Sequence, residues 1–203
     1  MFITLEGVDG AGKSSHLNWL ETWFTSRKRQ VRMTREPGGT AIGEQLREMV
    51  LHQPMHADTE ALIMFAARRE HIEQVIRPAL TAGEVVISDR FTDASFAYQS
   101  GGRGLPEARL AVLEGWVHAD LQPDLTLLFD LAPEIAAQRL SSARVPDRFE
   151  REQTDFHARV RAAYLRRAEQ FSARIKIIDG SRSLDQVRQQ LAVVLETAME
   201  TKA

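Results

Sequence analysis

The chain of 203 residues contains no cysteine. That absence excludes disulfides, thiolate metal sites and a cysteine nucleophile, and it fits a reducing compartment. Long apolar runs are missing too: nothing approaches the ~20 residues a membrane-spanning helix needs. The opening Met1-Phe2-Ile3-Thr4-Leu5 is interrupted by Glu6, too soon for the apolar core of a signal peptide. Neither sign of charge predominates. A formal net charge of −2 gives bulk electrostatics no reason to demand nucleic acid or a membrane surface. The six histidines show no metal-ligand spacing, and no Ser-His-Asp arrangement stands out. With 43% apolar and 27% charged residues the composition is that of a globular chain, and the length favours one domain spanning 1–203. The expectation is a cytoplasmic, soluble protein without a nucleic-acid or membrane partner.

What is present is an alternation. Short apolar, β-branched runs at Phe2–Leu5, Gln30–Thr34, Val85–Ser88, Leu125–Leu131 and Ile175–Ile178 read as strands. Between them lie stretches with helical spacing, such as Leu17-Leu20-Phe24 and Leu110-Leu113-Val117. This pattern predicts an α/β fold with a mainly parallel sheet covered by helices on both faces. In such sheets ligands collect where loops leave the carboxyl ends of the strands. The loops to examine are therefore 6–14, 35–39, 89–99 and the basic stretch 141–152.

The first of these loops carries the strongest signal. Gly7-Val8-Asp9-Gly10-Ala11-Gly12-Lys13-Ser14 fits G-x-x-x-x-G-K-[ST], after a strand and before a helical pattern starting at Lys13. Glycines let the backbone N–H groups turn inward around phosphate, and a helix N-terminus adds partial positive charge. Lys13 can reach the β- and γ-phosphates, and the Ser14 hydroxyl can join a Mg²⁺ shell. The motif alone means a nucleoside triphosphate. Asn18, the only asparagine, sits in the first helical stretch, so the Asn-Lys-x-Asp guanine motif of a GTP switch is missing. Asp89 emerges at the carboxyl end of Val85-Val86-Ile87-Ser88, where an acid can hold Mg²⁺ through water. Arg90 beside it can grip a phosphate as a fork.

Further segments, Arg35-Glu36-Pro37-Gly38-Gly39, Phe65-Ala66-Ala67-Arg68, Asp89-Arg90-Phe91, Ser95-Phe96-Ala97-Tyr98-Gln99 and Pro123-Asp124-Leu125-Thr126 with Asp130, follow the phosphate loop in order. Together they resemble the thymidylate kinase family, from residue 1 to about 180. The resemblance implies a P-loop nucleotide-kinase fold with a five-stranded parallel sheet. It also implies transfer of the γ-phosphoryl of ATP to dTMP with Mg²⁺, and a homodimer. ATP would lie on Gly7 to Ser15 (Gly7, Val8, Asp9, Gly10, Ala11, Gly12, Lys13, Ser14, Ser15) with Arg139 near the adenine. Arg47, Arg90 and the backbone near Glu36 and Pro37 would hold the acceptor phosphate, with the Glu36–Pro37 bond cis. Asp9 would take the sugar 3′-hydroxyl, and Tyr98 would fill the place of a ribose 2′-hydroxyl. Arg68 and Gln99 would bond the base edge, with Ser95 close by. The family's thymine-stacking aromatic usually lies four residues before the arginine, which here is Met64; Phe65 is one place on, and either could be the platform.

Arg139, Arg144, Arg148 and Arg151 bracket the stretch 141–152, where kinases of this fold carry a mobile lid. Some family members place an arginine where this chain has Gly10, and the others supply the catalytic arginine from the lid. The chain resembles the second kind, which makes Arg144 and Arg148 the catalytic candidates beside Lys13, Asp9 and Arg90. Two rivals stay open: a kinase for AMP, CMP or GMP, and a non-enzymatic ATP-binding module.

Overall fold

The chain builds one five-stranded parallel sheet in the order β2-β3-β1-β4-β5. The strands are β1 (Phe2–Glu6), β2 (Val31–Arg35), β3 (Val85–Asp89), β4 (Leu125–Asp130) and β5 (Ile175–Asp179). This computed structural model describes residues 1–118, 120–140 and 147–200. Each strand lies within a residue of its sequence-read position. Four of them run one residue further, onto Glu6, Arg35, Asp89 and Asp179. Reading apolarity stops at a charge, but the hydrogen-bond ladder does not, and these four residues stand where ligands gather.

Alternation along the strands divides the core in two. Ile3, Leu5, Val85, Ile87 and Leu127 face one buried cluster, where Leu20 and Phe24 of α1 (Leu17–Thr25), Val160 and Tyr164 of α8 (Thr154–Gln170) and Leu191 of α9 (Leu184–Glu200) meet them. Phe2 and Val86 face the other. That cluster takes Ala61 and Phe65 of α3 (Ala57–His71), Ala79 of α4 (Arg77–Thr81), and Leu110 and Val117 of α6 (Glu107–His118). Further α-helices among the described residues are α2 (Ala41–His52), the short α5 (Thr92–Ser95) and α7 (Pro133–Leu140). Both sheet faces are covered, as a parallel sheet requires.

β1 pairs with β3 on one side and β4 on the other. Its connection to β2 passes β3, whereas the connection from β3 to β4 passes β1. The loops after β1 and β3 therefore diverge and open a crevice at the carboxyl ends of these two strands. A π-helical turn over Phe96–Gly102 prolongs α5 along this crevice and packs on α8.

Candidate active site

The loop after β1 leads through a 3₁₀ turn, Lys13–His16, into α1. Gly7 is fixed by space: a Cβ there would lie 2.4 Å from the carbonyl oxygen of Phe129 in β4. The loop thus rests directly on the sheet, and any side chain at Gly7 would lift it away. Lys13 is buried, its Nζ donating to the Gly7 carbonyl at 2.9 Å and the Val8 carbonyl at 3.1 Å. Burial, helped by Arg90, pushes the Lys13 ammonium down to about 8 against the opposing pull of Asp9, Asp89 and Glu6. Ser14 and Ser15 are exposed on the loop.

Arg90 has a backbone φ of 74°, in the left-handed region that a residue with a Cβ seldom occupies. Its backbone N–H donates to Leu5 of β1, and its guanidinium turns into the crevice. There it bonds the Gly7 carbonyl, the Tyr98 and Tyr164 hydroxyls, and Asp9 Oδ1 at 2.6 Å. Tyr98 donates to Asp9 Oδ2 at 3.0 Å. Burial by itself would raise the Asp9 carboxyl, but Arg90 and Lys13 outweigh it and hold it well below the usual carboxylate range. Asp9 is therefore an anion locked in place between two cations and a phenol.

A second cluster sits behind the loop after β2, whose Glu36–Pro37 peptide bond is cis. Arg68 of α3 is fully buried and donates through Nε to Glu36 Oε2 at 2.8 Å, and through Nη2 to the Phe91 carbonyl and Ser95 Oγ. His71 bonds Glu36 Oε1 at 2.9 Å and Thr34 Oγ1 at 2.6 Å. Burial would raise the Glu36 carboxyl, and Arg68 and His71 bring it below its ordinary value instead. Gly39 lets this loop lie against His71, since a Cβ would meet the ring at 2.7 Å. Arg47 of α2 donates to the Pro37 carbonyl at 2.9 Å.

Two cavities result. One, of about 670 Å³, is lined by the phosphate loop, Asp89, Arg139 and Gly180. The other, of about 80 Å³, is lined by Pro37, Met64, Tyr98, Gln99, Asp147 and Phe149. Asp9, Glu36, Arg47 and Arg90 line both, so they stand at the junction.

Most of the residues singled out in the sequence come together here, with differences. Met64 lines the smaller cavity, whereas Phe65 points to the opposite core and stacks on His118 at 6.3 Å. One place along a helix is a turn of about 100°, enough to carry Phe65 out of the crevice. Ser95 and Arg68 lie behind the cavity wall rather than on it, though Arg68 Nη1 is buried without a partner among the described residues. Arg139 is exposed at the rim and donates to the Gly180 carbonyl at 3.1 Å. Arg144 lies outside the described residues. Arg148 is directed away from the phosphate loop: its Nη2 meets Glu60 Oε2 at 2.5 Å and its Nε the Val50 carbonyl at 3.0 Å.

Several participants had no signal of their own. Phe149 and Tyr164 belong to none of the motifs, and His71 is one of six histidines without ligand spacing. Glu6 did leave a mark, a carboxylate closing an otherwise apolar strand. It is completely buried and accepts from Tyr164 Oη at 2.7 Å and the Phe91 N–H at 2.8 Å. Burial, with Asp93 nearby, pushes it up to about 7.

Ser14 and Asp89 fit a hard divalent cation. Asp89 Oδ1 is buried without a partner among the described residues, and Asp89 and Ser14 line the same cavity. Both offer oxygen, the donor Mg²⁺ takes, and leave room for water and phosphate to complete the shell.

Known proteins resemble this chain over nearly its whole length. The thymidylate kinase family model matches residues 5–191. A thymidylate kinase of Methylobacillus flagellatus is 58% identical over 202 residues, covering all of this chain and 98% of its own. One of Burkholderia cenocepacia is 58% identical, with 96% of each chain covered. The crystal structure of thymidylate kinase from Ehrlichia chaffeensis superposes with a TM-score of 0.76 at 31% identity, covering 97% of this chain and 98% of that one. By sequence over nearly its whole length and by fold, the chain belongs to the thymidylate kinase family.

Proposed function

We propose that the chain transfers the γ-phosphoryl group of ATP to the 5′-phosphate of dTMP, giving ADP and dTDP. The observation that carries this reading is the junction of the two cavities at Asp9, Glu36, Arg47 and Arg90. ATP occupies the larger cavity along Gly7–Ser15, and the acceptor occupies the smaller, so that the two phosphates meet between them.

A phosphate oxygen of the acceptor attacks the γ-phosphorus, and the bond to the β–γ bridging oxygen breaks, leaving ADP. The attacking oxygen already carries charge, so no strong general base is needed. The site has only to align the groups and neutralise them. Arg90 and Arg47 hold the acceptor phosphate. Lys13 moves from the loop carbonyls to the β- and γ-phosphates. Ser14 and Asp89 hold Mg²⁺, which when bound neutralises charge on the donor phosphates. Asp9 accepts from the 3′-hydroxyl. Tyr98, pinned by Asp9 and Arg90, closes the space a 2′-hydroxyl would need. Met64, on the cavity wall, takes the face of the base, a fitting use of a polarisable thioether. Gln99 meets its edge from the cavity wall, and Arg68 reaches it from behind through the unused Nη1.

The reading further assigns the chain to a single domain, 1–203, with a lid at 141–152 that carries Arg144 to the transferring group, and to the cytoplasm. None of the described helices is long and apolar enough to cross a membrane. A coupled assay with dTMP, dUMP, AMP, CMP and GMP tests the assignment. The highest kcat/KM is expected for dTMP. Preference for AMP, CMP or GMP would replace the acceptor, and ATP binding without transfer to any of them would make the protein a binding module.

A further inference from the structure

Glu60 lies in the first turn of α3, fully buried, and belongs to none of the sequence motifs. Its two oxygens face different partners. Oε1 accepts from Gln99 Nε2 at 2.8 Å, while Oε2 accepts from Arg148 Nη2 at 2.5 Å, with Arg103 Nε at 3.4 Å. Gln99 lines the smaller cavity, and its other end, Oε1, is buried without a partner among the described residues.

A glutamine amide can sit either way round, and its two ends have opposite hydrogen-bonding sense. A carboxylate only accepts. Glu60 therefore requires the NH₂ end of Gln99 to face it, which leaves the carbonyl end for the ligand. That leaves Gln99 Oε1 as a buried, unused acceptor on the cavity wall, with one unused donor, Arg68 Nη1, buried behind that wall. Thymine and uracil offer the matching pair, an N3–H donor beside an O4 acceptor. Cytosine offers the reverse, an N3 acceptor beside an amino donor.

We propose that Glu60 is a specificity-determining positioning residue: by fixing the orientation of the Gln99 amide it makes the acceptor site read thymine or uracil and reject cytosine. The same carboxylate ties this orientation to the lid side of the site. Arg148, which it holds, is followed by Phe149, which lines the acceptor cavity and packs edge-to-face on Tyr98 with ring centroids 5.6 Å apart. Arg103 packs on Phe149 and Phe156 and pairs with Glu152. The segment 147–152 is thus tied to the acceptor cavity through the residue that sets the base reader. This inference rests on the thymidylate reading of the acceptor site.

Glu60→Gln separates orientation from packing. The oxygen of the new amide is drawn to Arg148 and Arg103, which only donate, so its NH₂ faces Gln99. Gln99 must then turn its carbonyl inward and present NH₂ to the base. The dTMP-to-dCMP ratio of kcat/KM is expected to fall ~10- to 100-fold, the cost of mispairing a buried polar group. The dTMP-to-dUMP ratio stays as in the wild type, because those two bases share the same edge. Glu60→Asp, which still only accepts, keeps the wild-type dTMP-to-dCMP ratio even if its turnover drops. Ratios are independent of how much enzyme folds, and calorimetric binding of dTMP and dCMP supplies them where turnover is slow. An unchanged dTMP-to-dCMP ratio in Glu60→Gln, an equal loss in Glu60→Asp, or failure of both variants to fold would overturn the proposal. Failure of the thymidylate reading is visible separately, as a wild-type enzyme without preference for dTMP over dCMP.

Discussion

In the proposed reaction Lys13 serves the donor side, and its surroundings make it sensitive to pH. Burial and Arg90 bring its ammonium down to about 8, so the free protein begins to lose this charge in mildly alkaline solution. Bound triphosphate supplies negative charge at Nζ and restores the proton. Because kcat/KM reports the free enzyme and kcat the complex, kcat/KM for ATP should fall as pH rises through about 8, with kcat holding to higher pH. Stopped-assay profiles at saturating dTMP check this; parallel declines of both parameters would place the titration elsewhere. Lys13→Ala should fold normally and abolish transfer. At this scale the sequence was most informative for residues whose chemistry is written in a local motif: Lys13, Ser14, Asp89 and Arg90 are all where their spacing put them. It was least informative for Phe65, because a helix position does not say which of two cores it faces.

At the scale of elements, the site depends on how β1, the turn after β3, and α8 lock together. Their shared point is Glu6, whose carboxyl accepts from Tyr164 of α8 and from the N–H of Phe91, next to the strained Arg90. Burial raises this carboxyl from about 4.5 to about 7, so the folded state holds its proton more tightly than the unfolded chain does. The stabilisation linked to that proton is complete below about 4.5 and is lost as pH climbs through about 7. Glu6→Gln has the same shape and no titration. Its unfolding free energy should therefore gain on the wild type as pH rises from 5 to 8, by an amount on the order of 3 kcal/mol at full extent, seen as a relative rise in melting temperature. Calorimetric scans of both proteins across that range decide it, and a pH-independent difference would mean Glu6 does not titrate there. No pattern in the sequence pairs positions 6 and 164. Their contact exists only because α8 returns across the sheet 158 residues later.

For the whole molecule, apolar surface is the feature still to be accounted for. Leu62 of α3 and Val112 and Trp116 of α6 are exposed, Trp116 to 81%, on two helices that pack against each other. Indole left in water at such exposure, beside other apolar side chains, marks an interaction surface. We propose that it is the face through which two copies of the chain pair, as the resemblance to the family implies. Sedimentation at micromolar concentration should give twice the mass of 22.9 kDa, and Trp116→Glu should give the monomer. A wild-type monomer at those concentrations would end the proposal.

The sequence by itself determined the strand positions, the parallel α/β class, the phosphate loop and the acid–arginine pair after β3. Each of these is encoded by residues adjacent in the chain, through backbone periodicity or a short motif. Only the tertiary structure decided that Met64 rather than Phe65 reaches the cavity. It also turned Arg148 to Glu60 instead of the phosphate loop, placed Tyr164 and Glu6 behind Arg90, and set His71 behind Glu36. These outcomes depend on which helix faces and loop ends meet when the sheet is covered. Such meetings follow from packing across long sequence separations, where local spacing carries no information.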